Sequence, residues 1–160
     1  MKLLLILLLF CGQVSAGEWH AQIHGLSWHA QETYAVRNTE TGEFLSNERY
    51  NWLNLGLGLR YEFDDVWAVQ AGAYRHSYYS DDPNRVDGMH AVYVCGDWLP
   101  VRALGARMGG SGCLVRGYDE HRIDPIATGT ARWGSDYSIT VRAGPAKDGL
   151  VIAADFGIRF

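Results

Sequence analysis

The C-terminal end of the chain alternates strictly between two unlike faces. Ile152, Ala154, Phe156, Ile158 and Phe160 fall on one face, and Ala153, Asp155, Gly157 and Arg159 on the other. A repeat of two residues belongs to an extended strand, because helix faces recur every 3.6 residues. The same alternation returns at Leu55, Leu57, Leu59, Tyr61 and Phe63 against Asn54, Gly56, Gly58, Arg60 and Glu62. It returns again at Trp67, Val69, Ala71 and Ala73 against Ala68, Gln70, Gly72 and Tyr74. A chain built this way needs two different environments, one on each side of its sheet.

Strands are expected at about 18–30, 52–63, 67–79, 88–98, 101–112, 123–133, 136–144 and 150–160. The connections between them alternate in length. Phe63–Val66, Trp98–Val101 and Gly134–Asp136 read as tight turns, whereas 31–51, 80–87, 113–122 and 145–149 are longer and polar. Short turns at one end and long loops at the other are the pattern of an outer-membrane barrel. The fold class expected is therefore all-β: an eight-stranded antiparallel transmembrane β-barrel with periplasmic termini and four extracellular loops. An even strand count closes the sheet and removes its exposed edges. A secreted soluble barrel of similar length would show the same period. The charges decide against it, because Arg60, Glu62, Asp155 and Arg159 lie opposite continuous apolar bands rather than among them. These four are expected to share the lower lumen as a paired plug, since unpaired buried charge is costly.

Residues 1–16 are set apart from the barrel. Met1–Lys2, the apolar run Leu3–Phe10 and the small residues Val14-Ser15-Ala16 read as a signal peptide cleaved after Ala16, leaving 17–160 as one domain. Lipidation at Cys11 is the less favoured alternative, because bulky Phe10 precedes it. The apolar run is too short for a spanning helix, which takes about 20 residues, and no later run reaches that length. Export to the bacterial outer membrane follows, with Phe160 as the terminal aromatic that barrel insertion machinery reads. Charged residues make up 20% of the chain with a net charge of −4, and no basic patch argues for nucleic acid. A monomer is expected. Cys95 and Cys113 remain after cleavage; a turn at Leu99–Pro100 would set Cys95 opposite position 104, so a disulfide between them is not expected.

Gly56, Gly58 and Gly72 point inward in this arrangement. They either leave room for a ligand in a lumen otherwise filled, or relieve strand curvature. Strands one and three end in Leu26-Ser27-Trp28-His29 and Tyr74-Arg75-His76-Ser77-Tyr78, which brings His29, His76 and Ser77 to the extracellular rim. A histidine near a serine hydroxyl is the minimum equipment for acyl transfer. The six histidines lack any compact ligand spacing, so a metal site is not expected, and acyl transfer by such groups needs no cofactor.

Leu26-Ser27-Trp28-His29, Arg49-Tyr50-Asn51 with Gly56-Leu57-Gly58, and Ala73-Tyr74-Arg75-His76-Ser77-Tyr78 resemble segments of the PagP-type lipid A palmitoyltransferases. Pro83, Gly88, Pro125-Ile126, Pro145 and terminal Phe160 extend the resemblance over nearly all of residues 17–160. It implies an enzyme that moves a fatty acyl chain from phospholipid to lipid A. His29 would be the catalytic histidine, Ser77 the required serine, and Gly88 the floor of an acyl pocket in the lumen. His76 stands where the family has aspartate, and Asp81, Asp82, Asp87 or Asp119 could supply the missing carboxylate. The family's N-terminal amphipathic helix is absent, and His24 and His90 replace a proline and an acidic residue. The alternative is a non-enzymatic barrel of the same ancestry, acting in adhesion, shielding or envelope integrity.

Overall fold

Each two-faced segment finds its neighbour in a closed ring. The computed structural model describes residues 17–37, 41–50, 52–75, 90–117, 123–146 and 149–160. The expected signal peptide at 1–16 lies outside the described residues. Ten strands are defined among them: β1 (Glu18–His29), β2 (Thr33–Arg37), β3 (Phe44–Arg49), β4 (Leu53–Glu62), β5 (Trp67–Tyr74), β6 (Ala91–Ala103), β7 (Ala106–Arg116), β8 (Ile123–Trp133), β9 (Tyr137–Ala146) and β10 (Gly149–Arg159). Eight of them form an antiparallel barrel in the order β1-β10-β9-β8-β7-β6-β5-β4, which the β1–β4 pair closes. The eight strands expected from the alternation are thus present. In the long connection expected after strand one, β2 and β3 pair as a separate hairpin.

Side chains sort by chemistry across the wall. On β6, Ala91, Tyr93, Cys95, Asp97 and Leu99 are buried while Val92, Val94 and Trp98 between them are exposed. On β4, Asn54, Arg60 and Glu62 are buried, and Leu57 opposite them is 72% exposed. The leucines of β4 therefore lie on the outside of the cylinder and its charges within it, the inverse of a soluble barrel. Gly17 and Phe160 sit at the end that carries the short turns 63–66, 104–105 and 134–136.

Two features of register were not foreseen. On β1, His24 pairs with Asp155 but Leu26, not Gly25, pairs with Ala154. Gly25 is the extra residue of a β-bulge, and a bulge switches which side of the sheet the following residues face. His20, Gln22 and His24 point inward before it, and Ser27 is buried after it, with Leu26 and Trp28 exposed. The second feature is the β6–β7 hairpin. Its turn is Leu104–Gly105, with φ of 52° and 73°, not Leu99–Pro100. Two positive φ values match the twist of the flanking strands, which favours two-residue hairpins of this kind. Pro100 is absorbed where the register shifts between Trp98 and Val101, a place in a sheet that tolerates a residue without an N–H.

That displaced turn overturns the expectation for the cysteines. Cys95 pairs directly with Cys113 across β6 and β7, their Cα atoms 4.0 Å apart, and the two sulfurs form a disulfide. The bridge faces inward. With Ala91, Tyr93 and Val115, and with Tyr74 and Ile126 packed against them, it forms an apolar wall in the half of the lumen toward the long loops.

Candidate functional site

Toward the short-turn end the lumen is ionic. Glu62 receives Arg60 at 2.8 Å, Arg107 at 2.7 Å and Arg132 at 2.8 Å. Arg60 also pairs with Asp97, which Arg142 approaches to 3.6 Å. Arg142 pairs in turn with Asp155, and Asp155 with His24 at 2.6 Å. The chain of charges ends where His24 Nε2 meets the Tyr93 hydroxyl at 2.6 Å. It touches β1, β4, β6, β7, β8, β9 and β10, so it ties nearly the whole circumference together through the lumen. Arg60, Glu62 and Asp155 occupy the positions expected of them. Arg159 does not: it lies half-exposed at the mouth, pairing with Glu18 at 2.6 Å and with Asp136. Its strand ends there, and the long side chain reaches out to solvent rather than down the lumen. Arg107, Arg132, Arg142 and Asp97 complete the plug and were not singled out from sequence.

The inward glycines border this plug. A Cβ on Gly58 would stand 2.5 Å from the Tyr93 hydroxyl, and one on Gly72 would stand 2.7 Å from Gly58 Cα and 2.8 Å from that hydroxyl. Gly58 and Gly72 are paired neighbours on β4 and β5. The missing side chains therefore leave room for the Tyr93 hydroxyl, which His24 holds. At Gly56, a Cβ would meet the backbone of Tyr74 at 2.5 Å, so close strand approach accounts for that glycine.

At the long-loop end a second polar group gathers. The β1 bulge turns Ser27 inward, and Ser27 N–H donates to Trp52 O at 2.8 Å, which draws the start of β4 alongside. Ser27 Oγ lies 2.5 Å from Asn54 Oδ1 and 3.4 Å from His29 Nε2. Asn54 Nδ2 donates to the backbone oxygen of Arg75 at 2.9 Å. The His29 ring stacks on Tyr50, with centroids 4.0 Å apart and planes 4° from parallel. Of the residues expected at this rim, His29 is therefore placed among Ser27, Tyr50, Asn54 and Arg75. His76, Ser77 and Gly88 lie outside the described residues. Ser27 and Asn54 went unremarked as site residues, although a signal was present. The polar positions of the first strand change from even to odd numbers across Gly25, as a bulge requires.

Glu18, His20 and Glu62 also stand close, with His20 Nε2 4.0 Å from Glu18 and 3.8 Å from Glu62. Three guanidiniums already surround Glu62, and their charge opposes any cation there.

The fold and its two polar groups define a closed, plugged β-barrel with an apolar outer wall and a histidine-bearing cluster at the long-loop end. A scan against protein-family models finds no match, and a search of the curated proteins finds none.

Proposed function

We propose that the chain is an outer-membrane barrel that transfers a fatty acyl chain from phospholipid to lipid A, with His29 as general base at the extracellular rim. The observation that carries this reading is the location of the His29 cluster at one end of a cylinder whose outer wall is apolar. Trp19 and Trp28 bracket that wall on β1, nine residues apart. With a rise of about 3.3 Å per residue, a tilt of about 40° and one bulged residue, they are separated by about 20–23 Å along the barrel axis. Outer-membrane barrels carry an apolar band of about 25 Å between aromatic girdles. Trp67, Trp98, Trp133 and Tyr137, all exposed near the short turns, continue the lower girdle around the barrel. In that setting the long loops face outward and the termini face the periplasm. His29 then lies level with the ester groups of the outer leaflet.

The chemistry follows from the residue types. His29 accepts a proton from an attacking hydroxyl, Ser77 being the serine that the PagP resemblance supplies, and returns it to the departing alkoxide. The apolar wall of Ala91, Tyr93, Val115 and Ile126 with the disulfide suits an acyl chain, and each buried methylene contributes about 0.8 kcal/mol. The ion pairs that span the lower lumen weigh against a conducting pore. The decisive experiment expresses the chain in cells that lack lipid A palmitoylation and weighs their lipid A. An added acyl chain that disappears with His29→Ala and with Ser77→Ala is the expected result. Unaltered lipid A from correctly inserted protein refutes it.

A second reading is favoured by one observation: Tyr93 fills the space beside Gly58 and Gly72. A lumen occupied there suits a non-enzymatic barrel acting in adhesion, shielding or envelope integrity. Unaltered lipid A in the same experiment is its expected outcome.

A further inference from the structure

Near the long loops the apolar outer wall carries a cation. Arg116 ends β7 with its side chain exposed. Its neighbours in register are Val92 on β6 and Ile123 on β8, and Leu114 lies two residues below it on the same face, paired with Val94. All four of these apolar side chains are exposed. The nearest carboxylate in register, Asp124, pairs with buried Val115 and so shares the opposite, lumenal face. Among the described residues no side chain pairs with the Arg116 guanidinium. At the short-turn end, by contrast, Arg102 pairs with Asp65, and Arg159 with Glu18. His90, also exposed, lies two residues before Val92, so the alternation of β6 sets it on the outer face, diagonal to Arg116.

Arg116 stands six residues along β7 from Gly110, the partner of Trp98 in the lower girdle. At about 3.3 Å per residue and a tilt of about 40°, its Cα is about 15 Å above that girdle. In an apolar band of about 25 Å the long side chain then reaches the upper boundary, where acyl chains give way to headgroups. The anion that matches a guanidinium there must itself carry acyl chains, and arginine holds phosphate through two parallel N–H donors. We propose that Arg116, with His90 beside it, binds a phosphate of lipid A while the acyl chains of that lipid lie on Val92, Val94, Leu114 and Ile123. The inference deepens the proposed function by locating the acceptor lipid, and it rests on that reading for the membrane placement. A phosphomonoester offers three oxygens and nearly two charges. That suits Arg116 and His90 together better than the single charge of a phospholipid diester.

The test titrates the full barrel, in micelles of a neutral detergent, with lipid A bearing its phosphates, with the same lipid A stripped of phosphate, and with phosphatidylglycerol. Bound copies are counted by native mass spectrometry. Phosphorylated lipid A should bind at least about tenfold more tightly than either of the others, and Arg116→Gln should remove that advantage, as expected for hydrogen bonds to a charged group. Arg102→Gln, at the opposite end of the barrel, should leave the affinity unchanged. Arg116→Lys keeps the charge without the paired donors and should lose about threefold. Equal binding of phosphorylated and stripped lipid A, equal binding of phosphatidylglycerol, or full affinity in Arg116→Gln overturns the proposal. If Arg116→Gln does not insert, full affinity in Arg116→Lys overturns it instead. In the lipid A acylation assay Arg116→Gln should raise KM for lipid A about tenfold. A barrel that binds lipid A through Arg116 without acylating it removes the proposed function and leaves this site standing. Acyl transfer with KM unchanged in Arg116→Gln does the reverse.

Discussion

Replacing Glu62 by glutamine keeps the size of the side chain and removes one charge from the centre of the lower plug. The carboxylate is 6% exposed by residue and is shared by Arg60, Arg107 and Arg132. The three cations are not equally dependent on it. Arg60 keeps Asp97, and Arg107 keeps Asp65 at the surface. Arg132, itself 1% exposed, is left with the Ser138 and Thr140 hydroxyls and the His20 ring. Glu62→Gln therefore strands a buried guanidinium, and breaking a buried pair from one side costs about 3–5 kcal/mol. Removing the stranded cation as well, in Glu62→Gln with Arg132→Met, should recover about 2 kcal/mol, because the desolvated charge is gone. The assay is urea unfolding from lipid vesicles, followed by tryptophan fluorescence and by the mobility difference between heated and unheated protein on gels. A loss below about 1 kcal/mol for the single variant, or simple additivity in the double, would refute the assignment of Glu62 as the hub.

Three further outcomes are expected. Leu57→Arg, at the middle of the outer wall, should destabilise the inserted barrel by about 2–4 kcal/mol, and a change within about 0.5 kcal/mol would remove the membrane from the argument. Gly72→Ala should cost about 1–3 kcal/mol by overpacking, because its Cβ would meet Leu57 O at 2.5 Å. Gly96→Ala, with nothing within 4 Å, should leave the unfolding midpoint within about 0.5 kcal/mol. Without reductant, Cys95 and Cys113 should resist alkylation even in the unfolded chain; after reduction both should label. Loss of the bridge should lower stability by up to about 3 kcal/mol, given the sequence separation of 18. Labelling of the unreduced, unfolded protein would disprove the disulfide.

Alternating polarity was enough to read the barrel. Leu55 to Phe63 and Ile152 to Phe160 announce their two faces residue by residue, and the identity of the inward charges Arg60, Glu62 and Asp155 follows from the same count. Period two is a local property, so local sequence carries it. Register between strands is not local. The β6–β7 turn depends on whether Pro100 ends a strand or lies in a bulge. Only the pairing of the two strands settles that, and with it the disulfide between Cys95 and Cys113. The β1 bulge at Gly25 decides which way Ser27 points, a change of face that the altered polar parity hinted at but could not fix. Partners across the lumen are further still from the sequence. Glu62 meets Arg107 and Arg132, and His24 meets Asp155 and Tyr93, because the closed ring brings distant strands to one axis. The sequence determined that there would be an inside and an outside; closure of the sheet decided which side chains meet within it.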